Sequence, residues 1–317
     1  MATAHSVLRH GLQMRSNFDF SKLQLRSWFP RHMAVGMMQM QGKLHSIDAV
    51  IEVHDARIPF TGRNFNLSDI GILKPSILVL NKVDLVAPER RERVASRFND
   101  MGHEVLFTNS KEPSDRGVEC IVEKVLHKIK NSNRYNRSEF PEINLMILGI
   151  PNVGKSSLIN SLRNRNMHRK KAAAVAPRPG VTRCVMERIQ VCRRPQVYIR
   201  DTPGVLAPSI PSAEAGLKLA LAATVDDRLV GAELLADYLL FRLNKAGRRE
   251  YVEALQLSGP TDDCRRLLLL LCHRHRMTIT GNAKLGLRES PNIARAAELF
   301  VKHWRAGDYG CQMLDEC

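Results

Sequence analysis

The run Gly149-Ile150-Pro151-Asn152-Val153-Gly154-Lys155-Ser156 limits this chain to a small set of folds. It is a complete G-x-x-x-x-G-K-[ST], set between an apolar run, Ile143–Ile150, and a stretch opening a helix at Ser156–Leu162. Strand, glycine-rich turn and helix in that order make a phosphate cradle. The glycines let successive backbone N–H groups point inward, and the positive end of the helix adds its pull on an anion. Lys155 has the length to reach the β- and γ-phosphates, and the Ser156 hydroxyl can sit on Mg²⁺. The motif points to nucleoside triphosphate binding.

Asn81-Lys82-Val83-Asp84 selects the base. It follows the apolar run Ile77–Leu80, so it stands at the end of a strand. In an N-K-x-D element the Asp carboxylate accepts two N–H bonds from the guanine edge. Adenine lacks that donor pair and would leave the carboxylate unmatched. A third element, Asp201-Thr202-Pro203-Gly204, follows the strand Val197–Ile199. Asp201 can hold Mg²⁺ through water, and the Gly204 N–H can meet the γ-phosphate. Pro179-Gly180-Val181-Thr182 lies in a polar, basic loop, and Thr182 is the candidate switch I threonine, closing on Mg²⁺ when a γ-phosphate is present. Thr108-Asn109-Ser110, after the strand at Val105–Phe107, reads equally well as a base-contacting loop or as a plain strand-to-turn end.

Along the chain, Ser46–His54, Ile77–Leu80, Val105–Thr108, Ile143–Ile150 and Val197–Ile199 read as strands. Arg90–Met101 and Gly117–Lys130 have helical spacing. Strands alternating with helices predict an α/β fold with a mostly parallel sheet covered on both faces. The motif order is unusual: N-K-x-D precedes the phosphate loop by nearly seventy residues, where Ras-like proteins have it near the end. A sheet with nearby termini tolerates such a circular permutation when the break falls at the surface. After about residue 210 the pattern turns helical, with Ala213–Thr224, Val230–Leu243, Asp262–Arg276 and Ile293–Gly307. The expected organisation is therefore an N-terminal arm or transit peptide over 1–27, a permuted domain over 28–209 and a smaller all-helical domain over 210–317. One mechanical consequence follows: the segment after Gly204 leads straight into the helices, so loss of the γ-phosphate can pull on them.

Charge narrows the partners. The chain carries 48 Lys and Arg against 32 Asp and Glu, a formal +16. Nearly all of that excess lies before residue 206, and from Arg163 to Arg200 eleven basic residues face one acid, Glu187. Such a footprint suits a polyanion or an anionic membrane surface, although a merely solvated surface is the plainer reading. Seven cysteines without a C-x-x-C pair argue for a reducing compartment and against a disulfide framework or zinc ribbon. The longest apolar run, Leu267–Cys272, is far shorter than the ~20 residues of a membrane helix. The first 18 residues are basic, serine-bearing and free of acid, a composition shared by transit peptides and by disordered N-termini.

With Trp28-Phe29-Pro30-Arg31-His32-Met33, then Asp55-Ala56-Arg57-Ile58-Pro59, then the motifs above in order, the sequence resembles the circularly permuted ribosome-assembly GTPases of the YlqF/RbgA type. The resemblance spans roughly residues 28–205. It implies a GTPase with a slow intrinsic rate, stimulated by the ribosome. Its GTP-binding set would be Asn81, Lys82, Val83, Asp84, Thr108, Asn109, Ser110, Asn152, Val153, Gly154, Lys155, Ser156, Ser157 and Gly204. Ser156, Thr182 and Asp201 would serve Mg²⁺. It further implies GTP-gated binding to the mitochondrial large ribosomal subunit and its rRNA from the matrix, as a monomer, with no DNA partner. Val205 stands where Ras-like enzymes carry a water-orienting Gln, and the resemblance assigns that catalytic role to His32; a structural place in a docked arm is the alternative. Arg31 replaces the family's usual glycine beside it. Asn152 matches the phosphate-loop Asn of potassium-activated relatives, which implies K⁺. Two other readings remain: a peripheral protein of the matrix face of the inner membrane, and a signalling GTPase with protein partners.

Overall fold

Seven successive buried residues form strand β1 (Ala49–Asp55), and a strand buried on both faces must lie inside a covered sheet. The structure, a computed structural model, describes residues 14–21, 23, 38, 40–63, 74–133, 137, 139–167, 188–205, 210–279 and 289–316. Around β1 are β2 (Ser76–Asn81), β3 (Val105–Thr108), β4 (Ile143–Leu148), β5 (Arg188–Cys192) and β6 (Val197–Arg200), in spatial order β3-β2-β1-β4-β6-β5. All neighbouring pairs are parallel except β5 with β6. The parallel α/β sheet expected from the alternating pattern is present.

Helices α1 (Pro88–Asp100), α2 (Arg116–Lys130) and α3 (Lys155–Met167) connect the strands. Pro88 opens α1, where its missing N–H costs nothing. Asp115 caps α2 by accepting from the Val118 N–H at 2.9 Å. Gly117 is required there: a Cβ would lie 1.8 Å from the Phe107 carbonyl oxygen. A single unbranched backbone thus lets α2 press directly on β3.

Strand β5 was not anticipated. It is five residues long, opens on an exposed Arg188 and has a register shift between Gln190 and Cys192. Its burial alternates, with Ile189 and Val191 inward, but two apolar residues in a five-residue edge strand are too short a run to stand out.

The chain divides into two compact units. One comprises residues 24–230 and 311–317 and holds the six-stranded sheet together with α4 (Ala213–Leu221). The other comprises residues 1–23 and 231–310, with α5 (Ala232–Lys245), α6 (Glu250–Ala254), α7 (Cys264–Arg274), a small β7–β8 pair (Thr278–Ile279, Ser290–Pro291) and α8 (Ile293–Ala306). The division therefore falls one helix later than the composition change at 206–212. The last seven residues return to the sheet-bearing unit.

Part of the expected arm, residues 14–21, is packed into the helical unit. Arg15 bridges Asp237 at 2.8 Å and Asp262 at 3.0 Å. Phe18 is 8% exposed and sits edge-on to Tyr238, with Phe20 and Phe241 beside it. No helix among the described residues is long and apolar enough to cross a membrane.

Candidate functional site

Asp55, Asn81 and Thr108 end β1, β2 and β3 in one register row. Strand β4 stops lower, with Leu148 opposite Glu52, three residues short of that row. The loop 149–154 fills the step, at the carboxyl ends of the parallel strands, where open α/β sheets bind ligands.

The loop closes tightly on its neighbours. Gly149 has φ +148°, and a Cβ there would lie 2.2 Å from the Val53 carbonyl oxygen. Gly154 has φ +101°, and its Cβ would lie 2.2 Å from Asn81 Nδ2. Asn152 takes a left-handed backbone (φ 60°) and donates from Nδ2 to the Ala223 carbonyl at 2.7 Å. Lys155 is buried and donates from Nζ to the Gly149 and Ile150 carbonyls, both at 3.0 Å. Burial pushes its ammonium down to about 8, against an opposing pull from Asp201. A lysine held this way is a charge ready to gain from an arriving phosphate.

At the base end, Asn81 ties three loops together. Its Nδ2 donates to the Val153 carbonyl at 2.9 Å. Its Oδ1 accepts from Thr108 Oγ1 at 3.2 Å, Ser110 N–H at 3.1 Å and Ser110 Oγ at 2.8 Å. Thr108 and Ser110 thus brace Asn81, and Asn109 lies between them half-buried. Lys82 is left-handed (φ 61°) and starts a 3-10 turn, Val83–Leu85. Val83 and Leu85 are buried and pin that turn, leaving the side of Asp84 exposed.

Lys82 Nζ reaches the Asn152 carbonyl at 2.6 Å and Asp55 Oδ2 at 2.8 Å. Arg57 also grips Asp55, through Nε at 3.0 Å and NH2 at 2.8 Å. Burial alone would raise the Asp55 pKa, but Arg57 and Lys82 outweigh it and hold the carboxyl well below the usual carboxylate range. Burial lowers Lys82 in turn, against Asp55. The site role of Asp55 and Arg57 was missed from sequence. Its one readable signal is that Asp55-Ala56-Arg57 follows β1 as Asn81-Lys82 follows β2.

At the other end, Ser156 Oγ donates to Asp201 Oδ2 at 3.0 Å, with Ser157 next in the helix. Asp201 Oδ1 is buried without a hydrogen-bond partner. Burial raises the Asp201 pKa, partly offset by Lys155 and Ser156. A buried carboxylate oxygen left open beside a hydroxyl fits a divalent cation. No group of three or more His, Cys, Asp or Glu that could hold a metal occurs among the described residues. A cation there would therefore draw most of its ligands from phosphate and water, as Mg²⁺ does. Gly204 closes the site: a Cβ would lie 2.5 Å from the Pro151 nitrogen. Val205 is fully buried. His32 and Thr182 lie outside the described residues, as do Trp28–Met33 and, within the basic stretch from Arg163 to Arg200, residues 168–187.

Comparison with known proteins agrees with this geometry. A family described as 50S ribosome-binding GTPase matches residues 144–261. Mitochondrial ribosome-associated GTPase 1 of Mus musculus is 46% identical over 95% of this chain and 93% of its own length. Its counterpart in Ictalurus punctatus is 41% identical over 99% of this chain and 100% of its own. Mitochondrial GTPase 1 of Aedes aegypti is 43% identical over 95% of this chain and 97% of its own. Among solved structures, GNP-bound YlqF from T. maritima shares the fold, with a TM-score of 0.54 and 23% identity over 88% of this chain and 98% of that one. Matched nearly end to end at these identities, and with the motifs meeting on one sheet edge, the chain belongs to the mitochondrial ribosome-associated GTPase 1 family and is a GTP-binding, GTP-hydrolysing enzyme.

Proposed function

We propose that guanine sits on Asp84 with Lys82 and the Thr108–Ser110 loop around it, and that the phosphates sit in the loop Asn152–Ser157. The observation that carries this reading is the Asn81 brace, which joins the base-end loop to the phosphate-end loop 72 residues further along the chain. Lys155 turns from its loop carbonyls to the β- and γ-phosphates. Ser156 and Asp201 hold Mg²⁺, which when bound neutralises charge on the phosphates. The Gly204 N–H meets the γ-phosphate. The side chain of Val205 has no polar atom to orient water, so a water-orienting group comes from elsewhere; the resemblance names His32, while the loop Pro179–Thr182 offers Thr182 as the switch threonine. Asn152 is the K⁺ candidate, a role ruled out if turnover is equal in Na⁺ and K⁺.

The relatives' names and the basic character of 163–200 support a further step. The GTP-loaded enzyme binds the mitochondrial large ribosomal subunit through its rRNA in the matrix, and hydrolysis releases it. The test is sucrose-gradient sedimentation of mitochondrial lysate with GDP or with a non-hydrolysable GTP analogue. Comigration with the large subunit only in the analogue is expected. Migration at the top of the gradient in both would overturn the ribosome role and favour the peripheral inner-membrane or signalling reading.

A further inference from the structure

The end of the chain, residues 311–316, crosses the two loops that frame the base end. The Gln312 N–H donates to the Leu85 carbonyl at 3.0 Å, and Cys311 Sγ to the Asp84 carbonyl at 3.3 Å. On the other side, the Leu314 N–H donates to the Arg57 carbonyl at 2.8 Å. The Asp315 carboxylate is 5% exposed and accepts from the Phe60 N–H at 2.9 Å, the Thr61 N–H at 2.8 Å and the Thr61 hydroxyl. Lys218 of α4 stands 3.4 Å from it. Met313 packs on the cluster beneath, which includes Leu80, Val86 and Phe98.

A buried carboxylate with several donors fixes the turn that supplies them, because leaving those N–H groups unpaired is costly. Here the fixed turn carries Arg57, which grips Asp55, which holds Lys82. The same segment pins Leu85 and Asp84 directly. Both routes end at the residues on which the guanine edge is proposed to rest.

We propose that residues 311–316 are a positioning strap for the guanine-binding loop, with Asp315 as its anchor, and that the strap sets selectivity for the base. The proposal rests on the reading that Asp84 takes the guanine edge.

The test uses the full chain with Asp315→Asn and Asp315→Ala, measuring equilibrium affinity for GDP and for IDP, which lacks the 2-amino group, with Tm alongside. Asp315→Asn keeps the shape and removes the charge shared by Lys218 and the three donors of Phe60 and Thr61. If the strap aims Asp84, GDP affinity falls more than IDP affinity, and the GDP/IDP ratio narrows by about fivefold, more in Asp315→Ala. A lowered Tm with an unchanged ratio in both variants would show a structural anchor only and overturn the proposal. Absence of any GDP preference in the unaltered chain would remove the base-site reading, and the strap with it. The two failures are therefore distinguishable.

Discussion

Lys155 and Asp201 are buried charges whose pKa values move toward each other, the lysine down and the carboxylate up. That is the expected state of groups arranged for a ligand that completes their electrostatics. The sign of the pH effect follows. Free Lys155 titrates at about 8. A bound triphosphate favours the ammonium and raises that value, so the complex holds more protons than its parts. Affinity should therefore fall as pH rises through about 8. Calorimetry in buffers of different ionisation enthalpy should show proton uptake on GDP binding at about pH 8.5 and almost none at about pH 7. Equal uptake at both would mean Lys155 is not the group. The same depression means that unfolded chains hold the proton between about 8 and 10.5, so the cost of burying this ammonium, full below about 8, is relieved as pH rises across that window. At this scale the sequence was informative, because a phosphate loop is a local motif with each residue's chemistry fixed by its neighbours. Asp55 was not legible, since its partner Lys82 is 27 residues away and only the parallel register brings them together.

Among elements, the loops after β3 and β4 are held to the end of β2 as one body because Asn81 bonds to both. Asn81→Ala strips the Val153 carbonyl and the Ser110 donors of that partner together. It should cost about 2–3 kcal/mol of stability and weaken GDP binding about tenfold. Urea denaturation and nucleotide titration check it, and a midpoint within error of the parent would contradict the brace. The parallel strands were readable as apolar runs because burial on both faces demands continuous hydrophobicity. Strand β5 was not, since an edge strand needs only half of that pattern. The end of the sheet-bearing unit was misplaced by one helix for a related reason. Helix α4 has the apolar composition of any buried helix, and composition does not say which core it covers.

For the whole molecule, the N-terminal segment and the C-terminal tail are the parts a linear reading places worst. Residues 14–21 belong to the helical unit through contacts such as Arg15–Asp262, 247 residues apart, which no local pattern announces. Phe18→Ala should cost about 3 kcal/mol, as removal of a buried aromatic does, and lower Tm measurably. An unchanged Tm would return the segment to the status of a dispensable arm. Any targeting peptide should accordingly be cut upstream of Arg15, as sequencing the N-terminus of the mitochondrial protein would show.

The permuted order itself makes the strongest demand: residues 81–84, early in the chain, must choose the base for a phosphate loop at 149–156. The most direct measurement is nucleotide preference of the Asp84→Asn chain, comparing GTP with XTP, whose base carries a carbonyl where guanine carries its amino group. An Asn amide can donate to that carbonyl but cannot replace the carboxylate against guanine. GTP affinity should therefore fall about 100-fold while XTP affinity rises. Lys155→Ala should lose both nucleotides. Undiminished GTP binding by Asp84→Asn would mean that residues 81–84 and 149–156 do not build one guanine-nucleotide site.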